Sequence, residues 1–386
     1  MKIAVLGIGT AGVQTIAHFL SELPEDIEIY SIHDPAHKIL GIGESTTTFL
    51  PTVLWRGLKL TMFDNCNKLD ATTKHGVKYV NWTKEEFSTN ILPPYHGMHF
   101  NNFNLGKVAL ESAKDIKGFF TIKGVVSNIS QTKDHVTLSV DGNEYTFDYI
   151  VDCRGYPTDY TDYEMCNYLP VNHCLVNTID RPGTWNYTYH QATKNGWMFG
   201  IPLQTRQGWG YLYNDNITSK EDAIEDIKIL FNNEINLREF AFKNYYKKNI
   251  IDGRIISNGN RALFFEPLEA LSGTFYEAVS VEAIKVILGG RDAVQANLFL
   301  NEIAETYALF ILFVYHKGSI FNSKFWKQTK ETAKLHLDNS SLWDDLTQRI
   351  NSATALGINS EAMIINPISM SLWKLIDDKM NCGVFK

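Results

Sequence analysis

The run KIAVLGIGTAG, Lys2 to Gly12, decides the fold of this 386-residue chain. KIAVL is a continuous apolar run suited to a buried parallel strand, and the segment beyond the glycines, VQTIAHFLSEL, repeats apolar residues at helical spacing. Strand, glycine turn and helix in that order make a dinucleotide-binding start. Gly7 permits the tight turn, Gly9 lets the backbone approach a pyrophosphate, and Gly12 lets helix pack closely on strand. Thr10 and Ala11 lie where the helix opens, with its positive end toward the phosphates. A second strand, IEIYSI (Ile27 to Ile32), leads to His33-Asp34, about 20 residues past the last glycine, where an acid accepts from a ribose hydroxyl. Asp34 is the candidate, and a turn-forming Asp before Pro35 is the plainer alternative. This start fits NAD and FAD equally.

Three later stretches bear on the choice. GIGES, Gly41 to Ser45, follows the second strand with a flexible Gly-x-Gly able to press backbone against a flat ring, which makes Gly43, Glu44 and Ser45 cofactor-binding candidates. Val125 to Gly155 predicts alternating strands around an Asp-Gly turn, then an apolar strand ending in glycine. GNRALFFEPLEALSG, Gly259 to Gly273, opens late in the chain with another small-residue turn. No second GxGxxG provides for a separate nicotinamide cofactor.

Composition narrows the partners. A net charge of −7 and the lack of a dense Lys/Arg run argue against nucleic acid. Tyr, Phe and Trp number 18, 22 and 8, enough to line a pocket for flat ligands. The five cysteines are odd in number, scattered and never CxxC, so neither a disulfide framework nor a zinc site is expected, and a reducing, cytoplasmic location fits. No metal site is expected. The longest apolar run, Tyr307 to Tyr315, is too short for a membrane span and predicts a buried helix. MKIAVLG starts directly on an apolar strand, which argues against a secretory signal.

TTKHGVKYVNW, Thr72 to Trp82, reads on its own as a surface segment entering a strand, with ordinary solvated lysines. Together with GIGTAG and GIGESTTTF (Gly41 to Phe49) it resembles the flavin-dependent tryptophan halogenases. Three further stretches carry the resemblance. GWMFGIPLQTRQGWGYLYN, Gly196 to Asn214, is similar to the family's WxWxIP box, with Trp197, Ile201 and Pro202 matching and Phe199 in place of the second tryptophan. EPLEALSG, Glu266 to Gly273, is similar to the EPLE segment. FVYHKGSIFNSKFW, Phe313 to Trp326, agrees more weakly.

The resemblance implies an α/β, FAD-binding Rossmann-like fold of the flavoprotein monooxygenase type with a partly helical, substrate-covering region. Residues 1–330 would form a discontinuous FAD-binding and halogenase module, and 331–386 a short C-terminal helical region. It also implies a two-component enzyme that takes FAD, reduced as FADH2 by a separate flavin reductase, together with oxygen and chloride or bromide. Lys74, rather than Lys78, falls on the catalytic lysine, which hydrogen-bonds hypohalous acid or becomes a haloamine. Glu269 falls on the carboxylate that partners it. Trp197, Phe199, Ile201 and Pro202 would form an aromatic pocket wall. Backbone N–H groups of Ser272 and Gly273, at the start of the helix FYEAVSVEAIKVIL predicts, are candidates for the halide, with capping by Ser272 or Thr274 as the plainer alternative. The chain is shorter than the tryptophan halogenases, so the expected substrate is another electron-rich aromatic, of indole or phenol type. An FAD-dependent aromatic hydroxylase and a non-catalytic flavin-binding protein are the rival readings. His96 and His99 are expected to be satisfied core residues.

Overall fold

Lys2–Leu6 is the strand on which the molecule is built: Glu28–His33 and Tyr149–Asp152 flank it, both parallel. The computed structural model of the chain describes residues 1–37, 44–232, 234–358, 364–365 and 367–385. Phe119–Lys123 pairs beyond Glu28–His33 and Ile255–Ser257 beyond Tyr149–Asp152, again parallel, and Ile251–Asp252 closes that edge antiparallel. Ile3 to Leu6 are sealed from solvent, which explains why their sequence is apolar without alternation. The helix Thr10–Glu22 leaves the strand through Gly7, whose φ of +97° an L side chain adopts poorly. A Cβ on Gly12 would stand 2.0 Å from the Gly7 carbonyl, so close packing at this crossing requires glycine.

The region after Phe119–Lys123 matches its sequence pattern. Val126–Gln131, Val136–Val140 and Asn143–Phe147 form an antiparallel meander, and the Asp141-Gly142 turn has both residues at positive φ. Tyr149–Asp152 then returns to the parallel sheet.

A second sheet of seven strands faces the first layer. Its order is Leu237–Ala241, His173–Ile179, Gln207–Tyr213, Trp197–Pro202, Thr188–Ala192, Gly76–Val80 and Phe87–Asn90. A small sheet, Glu44–Ser45, Gly97–Phe100 and Thr72–Lys74, joins the two regions. The helix Leu271–Ile287 packs against Thr10–Glu22, and Ala293–Tyr315 packs against Leu271–Ile287.

Ala293–Tyr315 has 23 residues and is long and apolar enough to cross a membrane, but 72% of its most apolar window is buried within the fold. It is the spine of the helical layer. Lys324–Asp338, Ser341–Ala355 and Met370–Lys379 follow it, and one hydrophobic core runs from Ile3 to Met380 through all of these helices. Residue 331 therefore lies inside a helix that shares the core of the residues before it.

Candidate active site

Between the glycine turn and the seven-stranded sheet lies a cavity of about 1620 Å³, larger than the roughly 300–1,000 Å³ of a usual small-molecule site. Gly7, Gly9, Thr10 and Ala11 line one end. Among the described residues no atom lies within 4 Å of a Cβ built on Gly9, and no side chain caps the helix that begins at Thr10. Open space and uncapped amides at a positive helix end suit a pyrophosphate. Asp34 lines the cavity just past the strand Glu28–His33, and its Oδ1 also accepts from Ala36 N at 2.8 Å, so the turn role and the cavity position coexist. Glu44 takes hydrogen bonds from Thr10 Oγ1 and from Asn102 Nδ2 (2.7 Å), while burial pushes its carboxyl up. These features fit a dinucleotide such as FAD. Gly41 and Gly43 lie outside the described residues.

Lys74 stands further along the same cavity. It is 3% exposed, at the end of the strand Thr72–Lys74 and opposite Gly97. A Cβ at 97 would press on the Thr46 carbonyl and on Lys74 Cδ, so glycine there leaves room for the lysine stem. Burial lowers the Lys74 ammonium to about 8, a shift that Glu269 opposes through its charge. Lys78, four residues on, is a surface residue paired with Glu86 at 2.6 Å. Only one of the two lysines reaches the cavity.

Glu269 is buried close by. Its Oε1 accepts from Tyr79 Oη at 2.6 Å and from Thr89 Oγ1 at 3.4 Å, and burial raises its carboxyl. It does not line the cavity, although its neighbours Pro267 and Ala270 do. Glu269 and Ala270 both have φ of +56°, a left-handed pair without glycine. This bend turns the chain into the helix Leu271–Ile287, whose start has no side-chain cap. Neither Ser272 nor Thr274 caps it, so the plainer alternative for those residues does not hold. Ser272 and Gly273 line the cavity, and a Cβ on Gly273 would meet nothing within 4 Å.

The pocket residues separate by strand register. Phe199 and Ile201 line the cavity, whereas Trp197 and Pro202 do not. Trp197 is on the same face of the strand but further along it, fully buried beyond the cavity, its ring 4.9 Å from that of His190 and 6.1 Å from that of Trp82. Pro202 points to the opposite face, as alternation requires, and its carbonyl accepts from Thr72 Oγ1 at 2.7 Å.

Two histidines near Lys74 carry more than the sequence reveals. His99 is sealed and bonded at both ring nitrogens, Nδ1 to Thr72 Oγ1 at 3.2 Å and Nε2 to Thr188 Oγ1 at 3.0 Å. Thr72 spends its proton on the Pro202 carbonyl, so it accepts from His99 Nδ1–H, which leaves Nε2 to accept from Thr188. Thr188 in turn accepts from Ser45 Oγ at 2.7 Å. His99 is thus the satisfied core residue its sequence suggests, held as a neutral ring, and burial and the Lys74 charge push it well below the usual histidine range. His96 instead stacks on Phe63. His190 was not singled out by sequence. It lines the cavity in the middle of the seven-stranded sheet, between Tyr79 and Phe199 on the neighbouring strands. No local motif marks it, because its position depends on pairing between strands more than 100 residues apart. Among the described residues no cluster of His, Cys, Asp and Glu could hold a metal.

The chain is similar to known proteins over most of its length. The family profile described as tryptophan halogenase matches residues 2–117 and 88–353. ThaL, a tryptophan 6-halogenase of Streptomyces albogriseolus, is 20% identical over 419 residues, covering 85% of this chain and 78% of its own. RebH, a tryptophan 7-halogenase of Lentzea aerocolonigenes, is 20% identical, with 74% and 69% covered. Among solved structures, a tryptophan halogenase from Shewanella frigidimarina has a TM-score of 0.82 at 16% identity, covering 98% of this chain and 88% of that one. BrvH, a flavin-dependent halogenase from Brevundimonas, has 0.77 at 18%, with 98% and 90% covered.

Proposed function

Because this chain belongs to the tryptophan halogenase family, we propose that it is a two-component flavin-dependent halogenase acting on an electron-rich aromatic of indole or phenol type. The observation that carries the proposal is Lys74: a buried lysine in the same cavity as the glycine turn, its ammonium lowered to about 8, with a carboxylate close by. FADH2 supplied by a separate reductase, with oxygen and chloride or bromide, provides hypohalous acid. Gly9, the uncapped amides after it, Asp34 and Glu44 would hold the FAD. The first turn of Leu271–Ile287, at Ser272 and Gly273, offers backbone N–H groups to the halide.

The remaining work belongs to side chains. Lys74 Nζ hydrogen-bonds the oxidant and presents its halogen to an aromatic carbon, and burial excludes the water that would otherwise dilute this contact. Glu269 acts through its charge, favouring the ammonium form of Lys74 and the cationic ring that forms as halogen adds. Phe199 and Ile201 give the cavity an apolar side suited to a flat substrate.

The test supplies the purified protein with FAD, a flavin reductase, NADH, bromide or chloride and a panel of indoles and phenols. Products showing the halogen isotope pattern, absent without reductase or halide, are expected. Hydroxylated products from the same mixture would replace this reading with the hydroxylase.

A further inference from the structure

His190 is 1% exposed, and its ring forms part of the cavity surface beside Lys74. Its place is fixed from several sides. Trp82 Nε1 donates to its carbonyl at 3.0 Å, and the rings of Tyr79 and Trp197 stand edge-on to it at 5.2 and 4.9 Å. Unlike His99, its ring has no hydrogen-bond partner among the described residues: Nδ1 is enclosed with nothing to bond. This leaves Nε2 as the nitrogen turned to the cavity.

The unpartnered nitrogen decides the tautomer. Burial and the neighbouring Lys74 charge keep the ring neutral, so one nitrogen carries a proton and the other a lone pair. Buried N–H groups without an acceptor are rarer in folded proteins than unpaired acceptors. The proton therefore belongs on Nε2, where a ligand can accept it, and the lone pair on the enclosed Nδ1. His190 then presents an N–H, next to an ammonium that presents three more. Two donors facing one space select an electronegative atom.

We propose that His190, as the Nε2–H tautomer, forms with Lys74 a two-donor corner that grips the oxygen of hypohalous acid and points its halogen toward the aromatic ring. The inference rests on the halogenase reading above and adds a residue to it. In the transfer, a carbon–halogen bond forms as the oxygen–halogen bond breaks. The departing oxygen takes a proton from the Lys74 ammonium and leaves as water, and the ring returns its displaced proton to the Lys74 amine. His190 keeps its proton throughout and stabilises the charge that develops on the departing oxygen. Without it, hypohalous acid is held by a single flexible side chain and escapes more readily.

Two measurements test this. The first uses flavin-free protein labelled with 15N in histidine, with the His190 resonances identified by their loss in His190→Gln. Ring 15N shifts are expected to show a neutral Nε2–H tautomer, and a neutral Nδ1–H tautomer overturns the proposal. The second supplies the full reaction and measures halogenated product against free hypohalous acid captured by an added trap. His190→Phe, which keeps an aromatic ring against Tyr79 and Trp197 but removes both nitrogens, should lower that ratio roughly tenfold, as loss of one hydrogen bond to a polar ligand implies. His190→Gln, which keeps an N–H donor, should recover most of it. An undiminished ratio in a folded His190→Phe protein overturns the proposal. If the wild-type mixture yields neither product nor hypohalous acid, the halogenase reading falls, and the proposal with it, while the tautomer on flavin-free protein still reports which ring nitrogen carries the proton.

Discussion

Lys74→Met should make the protein more stable at neutral pH while ending halogenation. The lysine titrates near 10.5 when unfolded and near 8 when folded, because burial penalises its charge more than Glu269 relieves it. Over that drop of about 2.5 pH units, at about 1.4 kcal/mol each, the native state is held roughly 3 kcal/mol less stable than it would be with a neutral side chain. The sign follows from proton uptake. Between pH 8 and 10.5 the unfolded chain binds a proton at this site that the folded chain does not, so stability rises with pH across that window. Below pH 8 both states are protonated and the whole penalty is present. Methionine has nearly the same length and no charge, so it removes the penalty at any pH. Urea unfolding of both proteins should therefore show Lys74→Met ahead by up to about 3 kcal/mol at pH 7, with the gap closing as pH approaches 10.5. The counter-charge of Glu269 is already contained in this figure, since it is one of the causes of the net shift. A variant that is equally or less stable at pH 7 would mean that Lys74 is solvated, and the reasoning about its role would fall with it.

Lys74→Ala should eliminate halogenated product while FAD still binds and is reoxidised by oxygen, whereas Lys78→Ala, which breaks only an exposed pair with Glu86, should retain most product. Product mass spectrometry beside oxygen consumption separates the two. Glu269→Gln keeps the hydrogen bonds from Tyr79 and Thr89 in shape but removes the charge, and should slow halogenation by roughly tenfold to a hundredfold, measured as turnover at saturating substrate. Gly9→Val should fold, since its side chain meets no protein atom, and should lose FAD in a flavin titration. Gly12→Ala, aimed 2.0 Å from the Gly7 carbonyl, should fail to fold by circular dichroism. Purified protein without a reductase should oxidise NADH slowly, as followed by absorbance.

The parts of this protein that read directly from sequence are those set by neighbours in the chain. The Lys2–Leu6 strand, the glycine turn, the Asp141-Gly142 hairpin and the body of the helix Leu271–Ile287, which begins four residues before its helical pattern, each follow from a local pattern. The second strand lies at Glu28–His33, shifted by one residue at each end from its apolar run, because pairing extends to where the cavity begins. Lys74 could be separated from Lys78 only by likeness to other proteins, since both sit in one short polar stretch. Their burial is decided by Gly97 and the strands that pair around it. Trp197 reads as a pocket residue and lies beyond the cavity, while His190 reads as nothing and forms part of its wall. Both outcomes depend on cross-strand register, which no short window of sequence contains. That Glu269 lies near Lys74 follows from a left-handed bend, which nothing in EPLE requires, there being no glycine in it.

The bend at Glu269 and Ala270 ties two adjustable parts to one joint. It sets the direction of a carboxylate held by Tyr79 and Thr89, and it also aims the first turn of Leu271–Ile287 at the cavity. Two successive residues in the left-handed region cost on the order of 1–3 kcal/mol each, and the surrounding contacts must supply that to keep the joint closed. A glycine at 270 would relax the joint and free both parts together, so neither can be tuned alone by changing the bend. For anyone reshaping this pocket, the sheet wall around His190 and Phe199 is the independent dial, and this corner of the chain is a fixed hinge pin.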